Sequence, residues 1–414
     1  MVVERKEQKL LEEGLADPKI HTICLTGPFG SGKTTIGKSI PGALYFSCLP
    51  VTEERSLKAL SALIVPRTGY PSRYVFHSAE EAVTCLAAES DQEGNVLVLD
   101  DAENLLSDKD LGEIPKALTG SSLRLVLISE RPCKSADLTI SLSGFSFSEA
   151  EAYLSDMDEE DRIKTLSFFG FSPYVLHFID QKAGFEENVN RLAGNDGMIS
   201  LLPDYLMQRK LRETKVYNGI LLAMAEGRAT PTLIGRDLNL SANVVSRYLQ
   251  TLVDEGFVRK EALYGTERKV SYRIAIPLLD WHFRNLFGKA DPMEQVKRNR
   301  KDTALAFVRD REQLSVPFRP FAAEDAGVSL TTDGVSKSTE KLVLVNVIDG
   351  EAKKSDVETL YLASRQAQLA GSRSSALYLF CEGAEEEAMA LAKTCVVNLY
   401  FLDSFCPLEA KARD

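Results

Sequence analysis

The chain is poor in the residues that build the commonest catalytic and metal centres. Its 414 residues include four histidines, at positions 21, 77, 177 and 282. They are too scattered to form a zinc constellation or a His-based triad. The seven cysteines (24, 48, 85, 133, 381, 395 and 406) contain no C-x-x-C pair and fall mostly in apolar stretches. An odd, unpaired set of this kind predicts reduced, buried thiols rather than a disulfide framework. No apolar run approaches the ~20 residues of a membrane-spanning helix, and MVVERKEQKLLEEGL at the start has no signal-peptide core. The expectation is a cytoplasmic protein with no membrane partner. Positive charge is also in deficit. A formal net charge of −11 argues against wholesale coating of nucleic acid and leaves room for a local basic surface. What remains, 44% hydrophobic and 26% charged, describes a globular chain long enough for about two to four domains.

Against that background one stretch stands out. Gly27, Pro28, Phe29, Gly30, Ser31, Gly32, Lys33 and Thr34 spell G-x-x-x-x-G-K-[ST]. The run follows an apolar strand, His21–Thr26, and continues through Thr35 into a short helix ended by Pro41. That strand–loop–helix setting gives the motif its meaning. Its glycines let backbone N–H groups turn inward on phosphate oxygens, and the helix N-terminus adds partial positive charge. Lys33 is then placed for the β- and γ-phosphates and the Thr34 hydroxyl for Mg²⁺. A glycine-rich turn is the bland alternative. The expected cofactors are ATP and Mg²⁺, with ATP or ADP as the small-molecule partner.

A second half of the site follows about 70 residues later. Asn95-Val-Leu-Val-Leu-Asp100-Asp101 reads as a buried strand ending in two carboxylates. Ligands gather at the carboxyl ends of strands in a doubly wound sheet, so Asp100 is expected to hold Mg²⁺ and Asp101 to orient the attacking water. The alternative is that the pair only caps a helix over 102–107. Strands over 43–47, 123–129 and 138–142 and a helix over 79–89 continue the alternation, which implies a parallel, three-layer α/β core. Ser129, Glu130 and Arg131 then share the phosphate edge, and Arg124 and Arg131 are candidates for an arginine finger.

Through these segments the chain resembles the archaeal-type ATPases of the STAND class, relatives of the AAA+ proteins. The resemblance begins at Glu4-Arg5-Lys6-Glu7, similar to the charged helix before the P-loop. It runs on to Ile140-Ser-Leu-Ser-Gly-Phe-Ser-Phe-Ser-Glu-Ala-Glu-Ala, similar to the family's post-sheet strand and helix. It implies ATP binding and hydrolysis, with a helical lid over 148–210. Two departures stand against it. Phe29-Gly30 replaces a basic pair often found in the loop. Asp101 stands where the family usually has Glu, one methylene longer, with Glu103 a weaker alternative base.

Further along, three amphipathic helices and two strands spell a winged helix-turn-helix. Val216, Ile220, Leu221 and Met224 face inward on the first helix, and Leu233, Ile234 and Leu238 on the second, which Thr230 caps and Pro231 opens. Ser241 caps the third, whose apolar stripe is Val245, Tyr248, Leu249 and Leu252. Its outward face is Asn243, Ser246, Arg247 and Gln250, residue types that read base edges. Arg268 and Lys269 on the wing are candidates for phosphate contact, and Lys297-Arg-Asn-Arg-Lys301 adds a basic run that a solvated helix face also explains. Double-stranded DNA is one expected partner. A protein partner or self-association, without DNA contact, is the other.

The last segment resembles the restriction-endonuclease-like domain that closes many members of this family. Asp333 and Glu351-Ala352-Lys353 are literal matches to a nuclease's Asp and E-x-K, which would hold Mg²⁺ and position water. Glu351–Lys353 reads as a turn, however, and the motif's strand positions are Val345-Asn346-Val347. The domain is therefore expected to be degenerate, with an active nuclease as the competing reading. The expected division is a P-loop ATPase core over 1–147, a helical lid over 148–210, a winged helix over 211–290 and the nuclease-like α/β domain over 291–414.

Overall fold

A computed structural model describes residues 3–89, 95–118, 120–194, 196–212, 214–266, 270–286, 288, 290–325, 328–368 and 374–408. The chain divides into two compact units, Met1–Phe145 with Ser172–Tyr174, and Ser146–Phe171 with Val175–Asp414. Among the described residues no helix is long and apolar enough to cross a membrane.

The first unit is a parallel sheet between two helical layers. Its helices are α1 (Lys6–Ala16), α2 (Lys33–Lys38), α3 (Glu53–Ile64), α4 (Ala79–Ala88) and α5 (Asp108–Ala117). Its strands are β1 (Thr22–Thr26), β2 (Leu44–Ser47), β3 (Val96–Asp100), β4 (Arg124–Ser129) and β5 (Leu138–Ser141), in the order β2-β3-β4-β1-β5. All neighbours are parallel. Near-continuous apolar runs are what such doubly covered strands require, and their period of two divides the core. Leu97, Leu99, Leu125 and Leu127 pack with Leu60, Val83 and Ile114 of α3, α4 and α5. Val96, Val98, Val126 and Ile128 pack with Leu11 of α1 and Ile36 of α2. The expected three-layer α/β core is present.

Two local details depart from the sequence reading. The helix expected over 102–107 is a single 3-10 turn, Ala102–Asn104, and Asp101 provides no side-chain cap for it. Ser107 instead opens α5 through a capping box with Asp110. The strand ends lie flush, with Thr26 opposite Ser129 and Asp100 between Ser47 and Ile128. The loops that follow β1, β3 and β4 therefore emerge on one edge.

The second unit begins with helices α6 (Phe147–Tyr153) and α7 (Glu159–Phe169). After α8 (Pro173–Leu176), whose first two residues group with the first unit, come α9 (Phe185–Ala193) and α10 (Leu202–Lys210). A winged helix follows: α11 (Thr214–Ala225), α12 (Pro231–Leu238), α13 (Ala242–Asp254), β6 (Val258–Ala262) and β7 (Val270–Ile274). The Thr230 and Ser241 hydroxyls cap α12 and α13 as their positions imply. Leu233, expected inward, is 45% exposed. α12 buries the arc through Ile234 and Gly235, where an added Cβ would stand 2.5 Å from the Leu240 carbonyl oxygen, and that leaves Leu233 on the flank.

Helices α14 (Pro277–Arg284) and α15 (Pro292–Arg311) lead to strands β8 (Arg319–Asp325), β9 (Val328–Lys337) and β10 (Lys341–Val347). Next are the two-residue strand β11 (Glu351–Ala352), helix α16 (Lys354–Gln368) and strand β12 (Ser374–Cys381). Strand β13 (Gly383–Ala384), helix α17 (Glu386–Cys395) and strand β14 (Val397–Phe401) follow. The larger sheet runs β14-β12-β10-β9-β8, with β10, β12 and β14 parallel and β9 antiparallel to both neighbours. β8 had no clear sequence signal because Pro320 and two acids interrupt it, which an edge strand tolerates.

Candidate nucleotide site and winged-helix face

The loop between β1 and α2 needs its glycines. Gly27 has φ 149° and an added Cβ would lie 2.2 Å from the Leu142 carbonyl oxygen. Gly30 has φ 76° and its Cβ would lie 2.8 Å from Tyr174 Cβ. Any side chain at either position is excluded by space as well as by conformation. Pro28 is exposed, Ser31 is buried and Gly32 caps α2 in the left-handed region. Phe29 packs edge-on against Tyr174, with ring centroids 5.0 Å apart, and the Tyr174 N–H donates to Gly30 O at 3.1 Å.

The charged groups expected here do converge. Lys33 is buried, and its Nζ donates to Gly27 O at 2.6 Å and Pro28 O at 2.9 Å. Burial lowers its pKa below the ordinary 10.5, against the opposing pull of the Glu130, Asp101, Glu103 and Asp100 carboxylates. The Thr34 hydroxyl donates to Asp100 Oδ2 at 2.8 Å, and Thr35 is exposed beside it on α2. Asp100 is buried, and its Oδ1 accepts the Asp101 N–H at 3.0 Å. Asp101 adopts φ 54°, a left-handed conformation that Asp tolerates better than most residues. Thr26 Oγ1 donates to Glu130 O, and the Glu130 N–H reaches Glu103 at 3.4 Å, fixing the loop after β4 at the same edge.

Two residues with no motif to mark them complete the surroundings. Arg5 is buried and donates to Ser31 O at 2.6 Å and Ser143 O at 3.2 Å, with its guanidinium over the Phe145 ring. It braces the loop from behind. The Tyr45 hydroxyl on β2 donates to Asp100 Oδ2. Only the charged character of the first helix hinted at Arg5, and nothing in the strand pattern distinguished Tyr45 from a packing residue.

The arginine candidates separate. Arg124 opens β4, and Ser129 at the loop edge is five steps away, about 16 Å. Its guanidinium reaches His21 and the carbonyls of Ser121 and Ser122. Arg124 thus stands at the wrong end of its strand to act on its own loop. Arg131 is exposed just beyond β4, on the loop edge.

On α13, Asn243, Ser246, Arg247 and Gln250 are all exposed, as expected of a reading face. The Gln250 amide donates to Asp254 at 2.7 Å. Arg268 and Lys269 lie outside the described residues. The basic run on α15 is largely taken up inside the second unit. Arg298 pairs with Asp280 at 3.3 Å, Arg300 with Asp403 at 2.7 Å and Lys301 with Asp333 at 3.4 Å. Asp302 in the same helix holds Arg259 of β6 and Arg273 of β7, at 2.6 and 3.1 Å.

The nuclease residues are not partners of one another. Asp333 on β9 accepts the Val347 N–H at 2.8 Å and pairs with Lys301. The neighbouring strand β10 includes Val345-Asn346-Val347, with Val345 paired to Gly334. Glu351, read as a turn residue, forms the short strand β11 with Ala352 instead, pairing with Gly383 and Ala384. Both Glu351 and Lys353 are exposed. Among the described residues no cluster of three or more His, Cys, Asp or Glu side chains could hold a metal ion.

Fold and loop together define a P-loop α/β protein carrying a winged helix-turn-helix and a further mixed sheet. Residues 211–275 match the family model described as winged helix-turn-helix. No curated protein matches the sequence. Solved structures similar to it include the Aeropyrum pernix Orc1 protein in complex with DNA, at 15% identity and TM-score 0.36, covering 69% of this chain and 93% of that one. Another is a Pyrococcus horikoshii signal transduction ATPase with numerous domains (STAND) with a tetratricopeptide repeat sensor. It shows 12% identity and TM-score 0.36, covering 77% of this chain and 46% of that one. A Drosophila ORC structure bound to AT-rich DNA and Cdc6 shows 12% identity and TM-score 0.22, covering 69% and 90%.

Proposed function

We propose that the chain is a nucleotide-gated ATPase of the STAND/AAA+ type that binds MgATP at Gly27–Thr35 and acts on duplex DNA through α13. The observation that carries the reading is the contact between Thr34 Oγ1 and Asp100 Oδ2, 2.8 Å apart beside the buried Lys33. Mg²⁺ needs only one or two protein oxygens when phosphates supply others, so this donor set fits it without a larger carboxylate cluster. The loop's glycines, with no room for a Cβ at Gly27 or Gly30, fit a phosphate cradle.

Bound there, MgATP would supply the terminal phosphoryl group for transfer to water, with cleavage of the β–γ bond and ADP as the leaving group. Lys33 exchanges the carbonyls of Gly27 and Pro28 for phosphate oxygens. Thr34 and Asp100 would hold the metal, and Asp101 would orient the water and accept its proton, with Glu103 the weaker alternative. Lys33→Ala is expected to abolish binding of a fluorescent ATP analogue. Asp101→Asn should leave binding intact and slow turnover by about 10²–10⁴-fold. Unchanged phosphate release in Asp101→Asn would remove Asp101 from this role.

A second reading, a protein-binding signalling or defence switch without DNA contact, has one specific support. Arg259 and Arg273 of the two wing strands are engaged in ion pairs with Asp302, which draws their charge away from phosphate. Nuclease chemistry has no comparable support, because Asp333 is held by Lys301 and the Val347 N–H.

A further inference from the structure

Asp100 is held by three donors, and they differ in what metal binding asks of them. Its Oδ1 accepts the main-chain N–H of Asp101. Its Oδ2 accepts the hydroxyls of Thr34 and Tyr45. Tyr45 comes from β2, where it is paired with Val98 while Ser47 is paired with Asp100. The period of two puts the Tyr45 and Asp100 side chains on the same face of the sheet. Val98 packs on that face with Ile36 of α2, and the Lys38 ammonium stands 5.2 Å from the Tyr45 ring centroid. The phenol is therefore fixed between strand and helix, aimed at the carboxylate.

We propose that Tyr45 is a positioning residue for the metal: it holds Asp100 Oδ2 in place while the Thr34 oxygen is committed to Mg²⁺. The proposal rests on the MgATP reading of the loop. The Thr34 hydroxyl would divide its oxygen between the metal and the bond to the carboxylate, and Tyr45 brings Oδ2 a second donor. Tyr45 anchors the same oxygen as a partner of the carboxylate that would hold the metal, and such partners tune metal affinity. Its hydroxyl donates to Asp100 and its ring lies beside Lys38, so the effect of removing the hydroxyl is expected in the metal-dependent part of binding.

The test uses the full chain and a fluorescent ATP analogue titrated in Mg²⁺ and in EDTA, comparing wild type with Tyr45→Phe. The variant removes one oxygen and keeps the ring under Lys38. The expected result is unchanged affinity in EDTA and a Mg²⁺-dependent gain reduced by about tenfold. A direct Mg²⁺ titration of the nucleotide complex should show the same loss. A Tyr45→Phe chain equal to wild type in both arms overturns the proposal while leaving the loop's nucleotide reading intact. Equal loss in both arms also overturns it, since the phenol would then support the loop rather than the metal. A wild-type chain that binds no nucleotide, or gains nothing from Mg²⁺, overturns the underlying reading itself.

Discussion

Lys33 carries the most informative electrostatics at the level of single residues. Its Nζ is folded onto two loop carbonyls, and burial lowers its pKa despite four carboxylates nearby. Phosphate oxygens favour the charged ammonium more strongly than carbonyls do, so nucleotide binding raises that pKa again. The sign follows from linkage. Between the lowered value and the raised one, binding takes up a proton, and affinity falls as pH rises through the free chain's value. Calorimetric titration at alkaline pH, in two buffers of different ionisation enthalpy, should show proton uptake on ATP binding. Uptake should fall away at lower pH, as Lys33 of the free chain takes up its own proton. A buffer-independent heat at alkaline pH would rule the account out. Arg5 belongs to the same scale: its bond to Ser31 O ties α1 to the loop, a link of 26 residues that no local pattern announces.

Among the elements, the second sheet is tied to the end of α15 by Glu312. Lys341 at the start of β10 and Tyr378 in β12 both donate to its carboxylate. Burial alone would raise its pKa, but these two bonds and the Lys341 charge prevail and hold it below the ordinary value. A carboxylate with a depressed folded pKa contributes stability above its unfolded pKa, about 4.3, and loses it as pH falls through the folded value. With Lys341 37% exposed, Glu312→Gln should cost about 1 kcal/mol at pH 7 rather than the larger cost of breaking a fully buried pair. Denaturant unfolding at pH 7 and near pH 3 checks this, since the difference between wild type and variant should shrink in acid. What the sequence made legible at this scale was local: the P-loop, the buried β3 run, and the capped helices of the winged helix each signal within a few residues. β8 was missed because an edge strand has no need of an apolar run, and the 3-10 turn after Asp101 because helix propensity is weak over so short a span. The Tyr45–Asp100 contact was illegible for another reason, as it depends on which strand pairs with β3 and in what register.

Across the whole chain, a net charge of −11 and a basic run largely engaged in ion pairs limit how DNA would be bound. Of Asn243, Ser246, Arg247 and Gln250, the proposed reading face of α13, Arg247 alone is a cation, and a face with so few cations releases few counterions. Duplex binding should therefore weaken only gently with salt, with a log–log slope of roughly −2 to −3 for two or three phosphate contacts. Arg247→Ala should lower affinity by about tenfold or more, as expected for losing one base-reading or phosphate-pairing arginine, and leave ATP binding unchanged. Gating adds a thermodynamic requirement. A nucleotide shifts DNA affinity only if it binds the DNA-competent state better than the other, and DNA must then change nucleotide affinity by the same factor. Fluorescence anisotropy of a labelled duplex, titrated with the chain in ATP and in ADP from low to moderate salt, measures both effects. Equal duplex affinity in the two nucleotides would leave a DNA-binding chain without a nucleotide gate. No binding at the lowest salt would move the winged helix to the protein-docking role.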